Sequence, residues 1–317
     1  MFHGNISTQI AEGLLELQRR IASANIPSSK LDETLNLATW NIRDFGKKQR
    51  SVAAIHYIAE ILGQFDLISV VELRDNLSDL ARVLPILGPY WRAVYSDVIL
   101  DAGGNRERIA FIYDKRAVTF TGLASAANPP RKKNGAEYIP EFTWWRAPYM
   151  ASFSAGNFDF VILTAHIRWG DSPWGRTREI EELANWLDLK RQQKHVEDRD
   201  FIVTGDFNIE SNEMYEALTS KGLVAPVALR KGSFGTNLAR DKRYDQILHY
   251  PIYDDGFMNK GGVLDFYRGG IEQLFPGMKK MDFTFQLSDH LPMWVQINTN
   301  NDSHQLDQLI RRRRGDD

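Results

Sequence analysis

The chain has 317 residues, 43% of them hydrophobic and 25% charged, with a formal net charge of −2 at pH 7 and no cysteine. That composition belongs to a globular protein with one large α/β domain or two ordinary ones. It excludes disulfides, thiolate nucleophiles and cysteine-based zinc sites. The near-neutral charge means that a polyanionic partner must be met by a local patch or by a bound cation.

The first twenty residues, MFHGNISTQIAEGLLELQRR, have charges where an export signal needs an apolar core. No apolar run approaches the roughly 18 residues of a membrane span, so a cytoplasmic chain is the expectation. Ile10, Leu14, Leu17 and Ile21 recur every three or four residues and predict a helix over 7–23. Residues 1–30 read as a helical extension with a Pro27-Ser28-Ser29 connector, 31–300 as the main domain and 301–317 as a polar, poorly anchored tail. LNLATWNI (35–42) and DLISVVEL (66–73) read as buried strands with a helix at 50–64 between them. A helix at 77–87 and strands near 90–97, 108–114 and 117–122 follow. The Ala/Asn/Pro/Lys/Gly-rich 123–142 reads as a surface loop. MASFSAG (150–156) and NFDFVILTAHI (157–167) predict a hairpin turning at Gly156-Asn157. Then come a helix over 176–195, the strand FIVTGDFN (201–208), a helix at 211–220, and strands at 244–250 and 291–297. Strands mixed with helices, some joined by hairpin-length turns, favour an α/β protein with mixed sheets.

Five of these apolar strands are interrupted by residues that are costly to bury: Asn41, Glu72, His166, Asp206 with Asn208, and the Asp289-His290 pair before the last strand. Each alone is an ordinary cap or turn residue. Five together point to a site assembled from strand ends. Carboxylates and amides without cysteine are hard oxygen donors, suited to Mg²⁺, Mn²⁺ or Ca²⁺ rather than zinc. The sequence has no HExxH, GxSxG or GxxxxGK[ST] motif and no strand-linked GxGxxG, so zinc-protease, hydrolase-triad, P-loop and dinucleotide readings have no foothold.

The blocks TWN (39–41), VVEL (70–73), RERIAFIYD (106–114), TAHI (164–167), GDFN (205–208), YDQI (244–247) and SDH (288–290) occur in that order. The set resembles the endonuclease/exonuclease/phosphatase superfamily over about residues 35–298, closest in pattern to its deoxyribonuclease I-like branch. The resemblance implies a four-layer sandwich of two mixed β-sheets flanked by helices, and a metal-dependent phosphodiesterase, foremost an endonuclease that hydrolyses DNA with a His-activated water. It implies that Asn41, Glu72 and Asp289 surround a divalent cation, with Mg²⁺ first and Mn²⁺ or Ca²⁺ as alternatives. Asp206 and Asn208 would position the water and bind the scissile phosphate, which Asn41 also reaches. Asp245 would orient His290, the base or electrostatic stabiliser. His166, paired with Glu107, would serve the phosphate oxygens or the leaving group, and Arg146 would contact phosphate.

The chain departs from some branches. It lacks the disulfides of secreted deoxyribonucleases, which favours an intracellular bacterial-type relative. VVELRDN lacks the glutamine of the apurinic-site repair branch, and VTGDFNIE departs from the inositol-phosphatase pattern. A phosphatase or sphingomyelinase-like lipid phosphodiesterase remains the alternative, and a catalytically silent scaffold the second. Trp144, Trp145, Trp169 and Trp174 are expected chiefly as packing residues, with base stacking most open for Trp169 and Trp174. Lys47, Lys48 and Arg50, Arg131–Lys133, Arg240 with Lys242 and Arg243, and Arg311–Arg314 are solvated charges by default and phosphate-facing patches otherwise. Nothing points to an oligomer, and a monomer is the default.

Overall fold

The structure is a computed structural model and describes residues 1–98, 106–170, 172–232, 234–253 and 256–302, with 306, 309–310 and 313–314 of the tail. Its strands are β1 (Thr34–Phe45), β2 (Leu67–Arg74), β3 (Trp91–Tyr95), β4 (Glu107–Asp114), β5 (Thr119–Ala126), β6 (Arg131–Asn134), β7 (Glu137–Pro140), β8 (Tyr149–Ala155), β9 (Phe158–His166), β10 (Phe201–Asp206), β11 (Asp245–His249), β12 (Phe257–Val263) and β13 (Met293–Asn298). Its helices are α1 (Thr8–Ala22), α2 (Val52–Leu62), α3 (Ser78–Leu87), α4 (Pro173–Arg191), α5 (Asn212–Thr219), the short α6 (Val227–Arg230) and α7 (Lys280–Gln286).

Six strands pair in the order β12-β13-β1-β2-β4-β3 and five in the order β11-β10-β9-β8-β5. Both sheets are mixed, because β1–β2 and β9–β10 are parallel while the remaining pairs are antiparallel. The period of two along each strand explains why the sheets face one another. In β9, Phe160 and Ile162 enter the central core. Val161, Leu163 and Ala165 turn the other way onto Ile180, Leu183 and Leu187 of α4. Helices α1, α2 and α3 pack with the six-stranded sheet; α4 and α5 cover the five-stranded one. The result is a four-layer sandwich of two mixed sheets flanked by helices. Between the sheets the hydroxyls of Ser69, Thr204 and Thr164 form a buried chain, with Thr204 Oγ1 2.8 Å from Ser69 Oγ and 2.7 Å from Thr164 Oγ1.

Serine caps start four helices: Ser7, Ser51, Ser172 and Ser211 each accept a first-turn N–H. Helix α1 is tied into the main body. Leu14, Leu17 and Ile21 join the central core, and Arg20 donates to the carbonyls of Phe266 and Gly270.

Several elements differ from expectation. The segment 123–142 carries the end of β5 and a β6–β7 hairpin turning at Gly135, which sits at φ 62°. All of β6 and most of β7 are exposed, so no apolar alternation announced the hairpin. Strand β12 was missed because its sequence, FMNKGGV, is glycine-rich and lies at a sheet edge. The short α6 and α7 were missed too. Of the Arg311–Arg314 run, Arg311 and Arg312 lie outside the described residues, as does most of the tail. Among the described residues, no helix is long and apolar enough to cross a membrane.

Candidate active site

Strand register assembles the centre of the site. Asp206 pairs with His166 across the parallel β9–β10 ladder and with Asp245 across the antiparallel β10–β11 ladder. Three strand ends thus present His166, Asp206 and Asp245 in one row. Thr164 and Thr204, two residues earlier, share their parity and already face the other sheet. Gly205 is required beside Asp206: its φ is 126°, and a Cβ there would stand 2.0 Å from the Ala165 carbonyl oxygen.

The other sheet closes the site from across the sandwich. Asn41 Nδ2 donates to Glu72 Oε1 at 2.9 Å and to Asp206 Oδ2 at 3.0 Å, so one buried amide joins the sheets. Glu72 sits at φ 63°, where the β1–β2 and β2–β4 registers both shift, and its Oε2 accepts the Asp44 N–H at 2.8 Å. Asp44 and Asn208 also have positive φ, at 49° and 50°. For a residue such as Glu72 that conformation costs about 1–3 kcal/mol, a strain that collects at functional sites. Asn208 is held by its N–H on Asp206 Oδ1 and its side-chain amide on the Ile167 carbonyl.

Two imidazoles stand on either side of Asp206. His166 Nδ1 is 2.7 Å from Glu107 Oε2, and His290 Nδ1 is 2.8 Å from Asp245 Oδ2. The Nε2 atoms of His166 and His290 lie 3.8 and 3.7 Å from the same Asp206 Oδ2. Burial works against the charged ring of His290, but Asp245 and Asp206 outweigh it and push the imidazole up to about 10. Burial raises Asp245 as well, so the proton between the two is tightly held. His166 is also raised: burial and Arg146 oppose its charge, and Glu107 with Asp206 outweighs them.

The sequence profile of the Endonuclease/Exonuclease/phosphatase family matches residues 38–290. The chain belongs to that family. A deoxyribonuclease of Thioalkalivibrio sp. (strain K90mix) is 27% identical over 296 residues, covering 87% of this chain and 74% of the relative. A deoxyribonuclease gamma of Rattus norvegicus is 27% identical over 186 residues, 55% of this chain and 56% of the relative. These two place the chain in the deoxyribonuclease I-like branch. The crystal structure of an endonuclease/exonuclease/phosphatase from Bacteroides vulgatus superposes with a TM-score of 0.56 at 16% identity, covering 83% of this chain and 98% of that one. At that identity the likeness shows the fold.

Members of the endonuclease/exonuclease/phosphatase family are metal-dependent hydrolases, and the residues here fit a hard cation. Asn41 Oδ1 is buried and meets no hydrogen-bond donor, beside the Glu72 carboxylate that the Asn41 amide holds. A divalent cation satisfies such an oxygen pair. Asp289, the third expected ligand, is paired with Arg43: its side chain is 43% exposed and its carboxylate lies 3.4 Å from Arg43 Nη1. The remaining expected residues join in one network. Arg146 is within it through Glu107, its Nε 3.0 Å from Oε2 and its Nη2 3.1 Å from Oε1.

Some residues of this site were not singled out from sequence. Arg74 bridges Glu107 at 3.3 Å and Asp44 at 3.4 Å. Arg74 directly follows VVEL and Asp44 lies three residues past Asn41, and that closeness to motif residues was the available signal. Ser288 Oγ donates to the Asn41 carbonyl and accepts the Arg43 and His290 N–H groups. Other candidates have structural roles. Arg50, one of the expected solvated charges, is buried on Asp79 and on the Arg43 and Gln286 carbonyls; burial brings it down to about 10. Trp144 donates to the Ala127 carbonyl and packs on Phe142.

Proposed function

We propose that the chain is a divalent-metal-dependent phosphodiesterase that cuts DNA as an endonuclease, with Mg²⁺ as its cation. The observation that carries this reading is the pair of imidazoles, each backed at Nδ1 by a buried carboxylate and each turned through Nε2 towards Asp206. In-line hydrolysis of a phosphodiester requires a water that loses a proton, relief of the charge on the five-coordinate phosphorus, and a proton for the departing oxygen. Two rings with separate carboxylates meet the first and last needs independently.

Asp206 and Asn208 position the water. His290 takes its proton when the ring is neutral, a form that Asp245 and Asp206 disfavour, and the same two carboxylates stabilise the imidazolium that forms. His166, kept charged by Glu107, donates to the phosphate oxygens or to the leaving group, while Arg146 adds positive charge beside it. Asn41 and Glu72, with Asp289 at the rim, are the residues that would hold the cation. When bound, the cation supplies Lewis-acid stabilisation of the phosphate and offsets the acidic groups that keep His290 protonated. The deoxyribonuclease relatives support DNA as the polymer.

The test is a substrate panel of supercoiled plasmid, an inositol phosphate and sphingomyelin, each with Mg²⁺ and with EDTA. Nicking of the plasmid in Mg²⁺ alone, falling about 10²–10⁴-fold in His290→Ala, is expected. An intact plasmid with turnover of another substrate would overturn the assignment to DNA.

A further inference from the structure

Beside the catalytic rings lies a set of exposed tryptophans that the hydrolytic centre does not use. Trp169 is 49% exposed and three residues past His166. Its ring meets Tyr244 edge-on, at 5.5 Å and 87°, and Tyr244 in turn lies 5.8 Å from the His290 ring. Arg176 packs against Trp169, its guanidinium carbon 4.6 Å from the ring centroid. Arg176 is nearly fully buried and held by Glu210 at 2.7 Å, while its Nε and Nη1 meet no oxygen. The next pair follows the same pattern: Arg168 lies 3.7 Å over Trp145, which is 42% exposed. A cleft of about 430 Å³ next to it is lined by Trp144, Trp145, Trp174, Arg178, Glu179 and Glu182 among others. Glu179 is engaged by the Trp145 N–H, which helps to fix that ring.

We propose that Trp169, braced by Arg176 and Tyr244, is a stacking platform for an unpaired base next to the scissile phosphate, so that the enzyme acts preferentially on single-stranded DNA. This rests on the nuclease reading above and names the strand state of its substrate. An aromatic ring that is half-exposed and braced by its neighbours, as Trp169 is, binds a base with little loss of rotamer freedom. Every base has a π-face, so such a platform tolerates any sequence. Arg168, over the neighbouring Trp145, supplies charge that complements a phosphate backbone. A duplex offers no free base face without unstacking, which costs a few kcal/mol. The aromatic path from Trp169 through Tyr244 to His290 ties the platform to the reacting phosphate. Arg176 is a positioning residue in this scheme: it touches Trp169, not the base.

The experiment measures KM and kcat for one oligonucleotide, single-stranded and annealed to its complement, with wild type, Trp169→Ala and Trp169→Phe in Mg²⁺. Wild type should show the lower KM on the single strand. Trp169→Ala should raise that KM about tenfold, with a smaller effect on kcat and on the duplex, and Trp169→Phe should restore most of it. Melting curves of both variants guard against misfolding, and the Phe variant keeps the platform testable where Ala unfolds. An equal loss on both DNA forms, or no loss on either, would show Trp169 to be a packing residue. A lower wild-type KM on the duplex would also overturn the inference. DNA of neither form being cut while bis(4-nitrophenyl) phosphate is hydrolysed would sink the nuclease reading itself, whereas DNA cleavage independent of Trp169 sinks the platform alone.

Discussion

Glu107 shows how one side chain sets the chemistry of another. It holds His166 Nδ1 at 2.7 Å and is itself shared by the buried Arg74 and the partly buried Arg146. Its charge is a main reason His166 is raised above an ordinary histidine. In Glu107→Gln that support disappears, so His166 loses its proton at lower pH. The basic limb of the kcat/KM–pH profile should move to lower pH, and activity near neutrality should fall by about 10²-fold or more. An unshifted basic limb would detach Glu107 from the ionisation that governs the rate. From the residues alone Glu107 was an even choice between a site residue and a solvated charge within RER, and only the family resemblance pointed to His166 as its partner. Glu72 was more legible, because a carboxylate directly after VV has to be explained by a cation or a proton. Arg146 was legible as a cation near the site but not as a partner of Glu107.

At the level of elements, alternation decides which residues reach the cleft. Once β9 and β10 pair in register, Thr164, His166, Thr204 and Asp206 must all project between the sheets. Thr204 is the hinge of that row, bonded to hydroxyls from both sheets. Thr204→Val removes the shared partner and leaves Ser69 and Thr164 hydroxyls buried without it. Stability should fall by about 1–3 kcal/mol, read as a lower midpoint in urea with an unchanged slope. A variant as stable as wild type would mean that water replaces the lost bonds. Strands with continuous apolar runs or clear alternation, such as β2, β9 and β10, were readable because burial on one or both faces selects those residues. The β6–β7 hairpin and β12 were not. An exposed ribbon and a glycine-rich edge strand bury too little apolar surface to leave a pattern, and only pairing with a neighbouring strand defines them.

On the scale of the whole molecule, a net charge of −2 conceals a sharply acidic centre. Asp44, Glu72, Asp206 and Asp245 converge with only part of their charge matched by Arg74 and the two imidazoles. A cation bound there stabilises the folded state by mass action, about 2.7 kcal/mol at a hundred times its dissociation constant. Mg²⁺ should therefore raise the melting temperature by about 5–10 °C for a domain of this size. Glu72→Gln should abolish that increment whatever its own melting temperature. An undiminished increment in the variant would move the cation to another set of ligands.

The order of the motifs, the hard-oxygen character of the donors and the exclusion of thiol and cysteine-based zinc chemistry were determined by the sequence itself. They depend on residue types and their spacing, which the chain states directly. Tertiary structure decided that Asn41 spans two sheets, that Asp289 turns to Arg43, that Arg74 and Arg146 share Glu107, and that a half-exposed Trp169 meets Tyr244, which lies against His290. Those are contacts between residues far apart along the chain. Their partners are chosen by strand register and sheet packing, which no local run of residues encodes.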